Sequence, residues 1–129
     1  MRERNSMSTE RAASSALQGR KTIAAKDAHW QPMHVADIKL DGVTMHLLVE
    51  ADDRWRSYWM KMEAGSRSIM HRHSATEMLI VVEGSVTDCD GAVFRAADVV
   101  VYSVGSTHVL SSPRGCTLLV VESCASTLA

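Results

Sequence analysis

Apolar and polar residues alternate in short stretches from residue 27 onward, and turn signals separate the stretches. The clearest stretch follows Asp41-Gly42, where Val43, Met45 and Leu47 alternate with polar residues. Alternation of period two predicts a strand with one buried face, and an Asp-Gly pair before it is typical of a tight turn. Strands are predicted in this way over residues 43–50, 55–63, 67–73, 77–84, 98–104, 108–112 and 116–122, with a hairpin over 85–95 that turns at Asp90-Gly91.

The run from Met78 to Val82 is apolar without interruption and is followed by Glu83-Gly84. A short apolar run bounded by a glycine predicts a buried strand, which the glycine is expected to end. No stretch after residue 27 has a convincing helical period. Many short strands at regular spacing predict a sandwich or barrel, because closing the sheet hides its edges. We therefore predict an all-β fold, a single small jelly-roll β-barrel.

Residues 1–26 differ from the rest of the chain. They are rich in Arg, Ser, Ala and Glu and poor in large aliphatic residues, so they cannot bury enough apolar surface to order themselves. We predict a flexible N-terminal arm over 1–26 and a barrel domain over 27–129. The Arg and Ser content also permits a transit-type presequence, although Glu3 and Glu10 disfavour it. Packing of the arm on a neighbouring subunit is a third possibility.

Length, charge and cysteine content narrow the class of protein. The 129 residues carry a net charge of −1, which suits one domain and disfavours nucleic acid as a partner. Cys89, Cys116 and Cys124 are odd in number and lack Cys-x-x-Cys spacing, which argues against a disulfide framework and against a thiolate zinc site. The sequence shows neither an apolar stretch of membrane-spanning length nor the apolar core of a secretory signal. We therefore expect a cytoplasmic protein with no membrane partner.

Candidate chemistry lies around His71 and His73, which are two residues apart and would leave the same face of a strand. Glu77 adds an anionic oxygen, and His108 follows one strand pair later. Imidazole suits zinc, iron, copper and nickel, while a carboxylate beside it fits an open catalytic site better than a closed thiolate site. Accidental clustering of surface residues is the alternative. The number of ligand-type residues in one short run favours metal binding.

The spacing of this run is similar to the first motif of the cupin superfamily. Gly65 is followed after five residues by His71-x-His73, after three more by Glu77, and after six more by Gly84, which satisfies every defining position.

The second cupin motif is met only in part. Cupins typically read Gly-Asp, then Pro-x-Gly-x-x-His and an Asn four residues on, whereas Ala97, Ser103 and Ser112 replace the Gly, Pro and Asn here. Gly105 and His108 remain, so the departures concern turn geometry. The resemblance implies an RmlC-like double-stranded β-helix that holds one divalent metal ion through His71, His73, Glu77 and His108.

Further features narrow the resemblance to the ChrR-type cupins. These are Trp30-x-Pro32, the Asp41-Gly42-Val43 entry and a minimal spacer between the motifs. That group includes the zinc-binding C-terminal domain of an anti-sigma factor and stand-alone oxygenases acting on β-diketones or hydroxyacetophenones. An anti-sigma role would need a separate helical domain upstream, for which residues 1–26 are expected to be too short.

The resemblance and the ligand set leave several functions open. We expect an Fe(II)-dependent dioxygenase acting on a small carbonyl or diketone-like compound, with the metal ligands as its only catalytic groups. The first alternative is a non-catalytic zinc-binding module that senses a small ligand, and the second is a metal-dependent isomerase, lyase or cyclase. Residue identity does not choose between iron, zinc, nickel and manganese.

Strand parity suggests which side chains line a substrate pocket. Arg67 and Ile69 share the face of His71 and His73, and Leu79 and Val81 share that of Glu77, so all four are expected to point into the barrel. Arg67 would anchor a substrate carboxylate or enolate, or else lie as a solvated charge at the mouth. The predicted pocket residues are Arg67, Ile69, Leu79, Val81, Trp59 and Tyr102, the two aromatics having a core role as the alternative.

The remaining histidines and the outer face complete the prediction. His46 is interpreted as a satisfied strand histidine, and His29 and His34 as surface or packing residues. Met70, Met78 and Ile80 should lie on the face away from the metal, where apolar side chains favour a partner. We expect a homodimer.

Overall fold

Almost all regular structure in the described residues, 17–123 of a computed structural model, is β-strand. The all-β prediction is confirmed. A single turn of 3-10 helix, Ala25–Asp27, precedes the strands. The strands are β1 Gln31–Val35, β2 Ile38–Ala51, β3 Trp55–Met62, β4 Ser66–Arg67, β5 His71–Arg72, β6 Glu77–Asp88, β7 Val93–Arg95, β8 Val99–Tyr102, β9 Thr107–His108, β10 Leu110–Ser112 and β11 Cys116–Ser123.

Strand β6 joins two halves of a curled sheet. Its first half pairs with β11 and β8, and its second half pairs with β10 and β7. The main strand order is β1-β2-β3-β11-β6-β10-β4, and every ladder is antiparallel. Strands β5 and β9 form a separate two-stranded ladder. The sheet curls around one core, as expected of the predicted jelly-roll fold.

Gly84 bends β6 and does not end it, so the predicted strand end there was wrong. The residue has a φ of +79°, and a Cβ built on it would clash with the carbonyl oxygen of Gly115. The register with β11 shifts close by, between Thr117 and Leu118. A glycine in the left-handed region at such a bulge turns a strand and lets it continue, here to Asp88.

Two further boundaries differ from the prediction. Gly42 lies inside β2 and not in a turn before it. The turn before β2 is Ala36-Asp37, whose φ angles are 50° and 66°. A two-residue loop with both φ values positive is the favoured geometry for a tight hairpin, and it joins β1, which was not predicted, to β2. The hairpin turning at Asp90-Gly91 is confirmed by the β6–β7 pairing.

The predicted strands over 67–73 and 108–112 are each broken in two. The amide of Ser68 donates to the Leu110 carbonyl, and the Leu110 amide donates to the Ser68 hydroxyl. This exchange marks the place where the chain passes from the β4–β10 ladder to the β5–β9 ladder. Parity counted along one uninterrupted strand therefore does not hold across it.

The core lies on the inner face of β3, β11 and β6. Tyr58, Met60 and Met62 alternate with less buried residues on β3, while Leu118 and Val120 are fully buried on β11. Burying such side chains supplies most of the stability of a small β-domain. The inner face also ends in polar residues on β6 and β9, and these form the site described next.

The segment before β1 contacts the outer face of β2. The Lys21 ammonium donates to the Leu48 carbonyl, and the His29 amide donates to Nδ1 of His46. Residues 1–16 of the predicted arm, and Cys124, lie outside the described residues.

Candidate metal centre

The β5–β9 ladder brings two distant segments together. His71 is the register partner of His108. The ladder's hydrogen bonds continue past the strand end, since the His73 amide donates to the Ser106 carbonyl and the Gly105 amide donates to the His73 carbonyl, both at 2.9 Å. Gly105 has a φ of +91°, which explains why the second motif keeps its glycine although its proline is replaced.

Three of the predicted ligands meet at one buried point. Oε1 of Glu77 lies 3.8 Å from Nε2 of His73 and 3.7 Å from Nε2 of His108. The three side chains place their donor atoms within 4.8 Å of one another, and all three residues are buried. Donors bound to one ion at about 2 Å lie within about 4 Å of each other, so this set needs little movement to hold a metal. Two imidazoles and a carboxylate are a donor set that divalent transition metals accept. His73, Glu77 and His108 can therefore bind one metal ion.

The side chain of His71 lies outside the described part of the structure. The role of His71 as a fourth ligand therefore stays a prediction, although its backbone pairs with that of His108.

Glu77 lies beside a second carboxyl that the sequence analysis did not select. Burial, followed by the charge of Glu122 and a hydrogen bond with its side chain, raises the pKa of Glu77 to about 8, while the Arg56 cation acts in the opposite direction. Arg56 forms an ion pair with Glu122 through Nε. Burial, together with the charges of Glu122 and Glu77, also raises the pKa of Tyr58, so that residue remains a neutral wall of the site.

Tyr102, a predicted pocket residue, packs directly on the two histidines. Its ring is stacked on His108 with the centroids 4.0 Å apart, and it lies 5.6 Å from the His73 ring. Its hydroxyl donates to Oδ2 of Asp88. Burial and this bond raise the pKa of Tyr102. For Asp88, burial is outweighed by the bonds from Tyr102 and the Cys89 amide, which lower its pKa. The Tyr102 side chain is thus held by the stacking of its ring on His108 and by the hydrogen bond of its hydroxyl.

The other predicted pocket residues are distributed over three places. Leu79 and Val81 are buried on the same face of β6 as Glu77. Trp59 lies on the opposite face of its strand from buried Tyr58, where its ring contacts Trp30 and His46. Arg67 is exposed and Ile69 only half-buried, because the break between β4 and β5 interrupts the alternation of buried and exposed side chains.

Arg67 and Ile69 line a cavity of about 540 Å³ that none of the three buried ligand residues lines. The residues around it belong to the start of β2 and to the segment from β4 to β5. They are Lys39, Leu40, Asp41, Gly65, Ser66, Arg67, Ser68, Ile69, Met70 and Val109.

A sequence signal for Glu122 exists. Cys116, Leu118 and Val120 alternate toward the core, and Glu122 is the next residue of the same parity. A glutamate that continues a buried alternation indicates a polar site, but only the strand pairing shows that it adjoins Glu77.

Comparison with protein families gives a match over most of the chain. The family model of the ChrR cupin-like domain matches residues 18–125. No curated protein sequence matches the chain. No helix in the described residues is long and apolar enough to cross a membrane.

Solved structures of similar fold include proteins of several activities. The polyketide cyclase RemF from Streptomyces resistomycificus superposes with a TM-score of 0.71 at 17% identity, covering 85% of this chain and 87% of that one. An acetylacetone dioxygenase from Acinetobacter johnsonii gives 0.66 at 17% identity, covering 82% and 74%. The Rhodobacter sphaeroides complex of SigE with the anti-sigma ChrR gives 0.64 at 16% identity, covering 92% and 66%. At these identities the likeness concerns the fold.

Proposed function

The chain belongs to the ChrR cupin-like domain family, and from this premise we propose that it is a mononuclear metal-dependent dioxygenase. The substrate class is a small carbonyl or diketone-like compound, and the metal is Fe(II). The ligands are His71, His73, Glu77 and His108. The observation that carries the proposal is the buried meeting of His73, Glu77 and His108 at one point.

The chemistry of the donors supports catalysis. Bound Fe(II) would supply a Lewis acid with coordination positions free for a chelating substrate and dioxygen. The protein's own contribution is to hold two imidazoles and a carboxylate together, to exclude water with Leu79 and Val81, and to keep Tyr102 packed on the histidines. An acetylacetone dioxygenase among the proteins of similar fold supports the substrate class.

The depth of the ligands favours a second candidate, a zinc-binding module without catalysis. His108 is only 3% exposed and His73 only 5%, which suits an ion closed off by protein groups. The anti-sigma ChrR among the structural neighbours agrees with such a role. The polyketide cyclase RemF supports a third, a metal-dependent isomerase, lyase or cyclase.

Metal binding is tested by substitution of the buried histidines. We expect His73→Ala and His108→Ala to lower metal affinity by more than the 10- to 100-fold typical of groups outside the coordination shell, because each removes a donor. His46→Ala, on the outer face, is the matched control and should retain the wild-type metal content. Elemental analysis of protein purified without added metal gives the result. Full metal content in both core variants would refute the site.

Catalysis is tested on the iron-loaded protein by oxygen consumption with a panel of β-diketones and catechol-like compounds. The dioxygenase proposal expects turnover with at least one substrate, and full iron occupancy without turnover on any would count against it. A zinc module predicts slow metal exchange and loss of stability on chelation. A cyclase or isomerase predicts product without dioxygen uptake.

A further inference from the structure

A row of ionisable side chains crosses three neighbouring strands at the metal centre. Glu122 of β11 is the register partner of Glu77 on β6 and, on its other side, of Arg56 on β3. Directly opposite residues in antiparallel strands have Cβ atoms about 5 Å apart, so their side chains can contact each other. The row therefore continues from the candidate ligand Glu77 outward to a cation.

The contacts along this row are specific. Arg56 donates from Nε to Oε1 of Glu122 at 2.5 Å, and its guanidinium lies over the Tyr58 ring at 5.3 Å from the centroid. The Glu122 side chain is 15% exposed, and Glu122 lies directly opposite Glu77 across the β6–β11 ladder. Arg56 is thus held by an aromatic ring and an ion pair, and Glu122 lies between the cation and the ligand.

Stability alone does not account for this arrangement. A carboxylate next to another buried carboxyl is unfavourable unless a cation compensates it, and partly exposed ion pairs contribute only about 0–1 kcal/mol. An apolar residue at 122 would continue the alternation of Leu118 and Val120 at lower electrostatic cost. Glu122 and Arg56 occupy the positions expected of groups that contact a metal ligand from outside the coordination shell and orient it.

We infer that Glu122, held by Arg56, is a positioning residue that orients the Glu77 carboxylate toward His73 and His108. The inference rests on the proposed metal site, since it assigns a role in that site. It requires the reach of the Glu122 side chain, which sets its contact with Glu77, more than its charge.

Two substitutions separate reach from charge. Glu122→Asp keeps the charge but withdraws the carboxyl by one methylene, and should weaken metal affinity about 10-fold or more, within the range for such partners. Glu122→Gln keeps the reach and should stay within about threefold of wild type. The matched control is Glu83→Asp, because Glu83 is an exposed glutamate of β6 whose register partner, Thr117, lies outside the row.

The measurement is titration of the full chain with Co²⁺ against a chelator, followed by the visible absorption spectrum of the loaded protein, which reports the geometry of the ion. Glu122→Asp should change both affinity and spectrum, and Glu122→Gln neither. Arg56→Lys provides a second test, because lysine keeps the charge but loses the Nε donor, and should shift the spectrum in the same direction as Glu122→Asp.

The outcomes distinguish the two proposals. If the wild type binds no Co²⁺, or His73→Ala binds it as tightly as wild type, the metal site itself is wrong. If the wild type binds but Glu122→Asp and Arg56→Lys match it in affinity and spectrum, the positioning role is overturned. Equal losses in Glu122→Asp and Glu83→Asp would also overturn it, because Glu83 contacts neither Glu77 nor Arg56 across a ladder.

Discussion

Glu77 opens strand β6 with its carboxyl buried between two imidazoles and beside Glu122. Burial first, and Glu122 second, raises its pKa from 4.5 to about 8. In the metal-free protein the folded state therefore holds this proton more tightly than the unfolded state does. The resulting stabilisation is complete below about pH 4.5 and is lost as the pH rises through about 8.

We expect the metal-free protein to lose stability between pH 5 and pH 9, and Glu77→Gln to remove most of that loss, because the amide does not ionise. Urea unfolding in the presence of a chelator at several pH values measures the effect. Glu83→Gln is the control, since Glu83 is an exposed residue of the same strand. A Glu77→Gln variant whose stability falls as steeply as that of wild type would contradict the assignment.

Strand β6 shows how an element can depend on one residue. It belongs to both halves of the curled sheet, and the bend between them lies at Gly84, whose backbone approaches Gly115 and Cys116 closely. Position 84 therefore needs a residue that adopts a left-handed backbone conformation and that has no Cβ. The bend lets β6 pair with β11 and β8 before Gly84 and with β10 and β7 after it.

Gly84→Ala should destabilise the protein by about 3 kcal/mol or more, since backbone strain of about 1–2 kcal/mol is joined by a clash with the Gly115 carbonyl. Gly91→Ala separates the two causes. Gly91 also has a positive φ, of +91°, but nothing lies within 4 Å of an added Cβ, so only the strain should remain. Chemical unfolding of both variants gives the comparison, and equal destabilisation would show that the close approach has no cost.

At the scale of the whole molecule, apolar side chains gather on the outer face of β6 and β8. Val99 and Val101 are 56% and 61% exposed, and they are the register partners of Ile80 and Met78. Val82 is also exposed. Contiguous exposed apolar side chains of this kind favour a partner surface, and the homodimer stays a prediction.

We expect a homodimer in solution that Val101→Lys dissociates into monomers, because a charge at the centre of an apolar contact is costly to bury. Val93→Lys is the control, since Val93 is an exposed valine on β7, which pairs with the other half of β6. Light scattering after size exclusion measures the mass. A monomeric wild type, or a dimer that persists in the Val101→Lys variant, would exclude this face.

The sequence by itself determined what depends on near neighbours in the chain. Period-two alternation predicted the strands around β2, β3 and β11, and an uninterrupted apolar run predicted β6. Residue type and spacing gave the candidate ligands His71, His73, Glu77 and His108, of which the last three meet in the structure. These features are readable because side-chain direction alternates locally and a metal needs particular donor atoms.

Only the tertiary structure decided what depends on register between distant strands. It showed that Gly84 bends a strand, that β4 and β5 are separate, and that Trp59 lies on the outer face while Tyr102 packs on the histidines. Only the strand pairing showed that Glu122 lies opposite Glu77 on one side and opposite Arg56 on the other. Alternation gives the face of each residue but not its neighbour across the ladder. Pairing results from burial and hydrogen bonding of the whole chain at once, so it is not contained in any one segment.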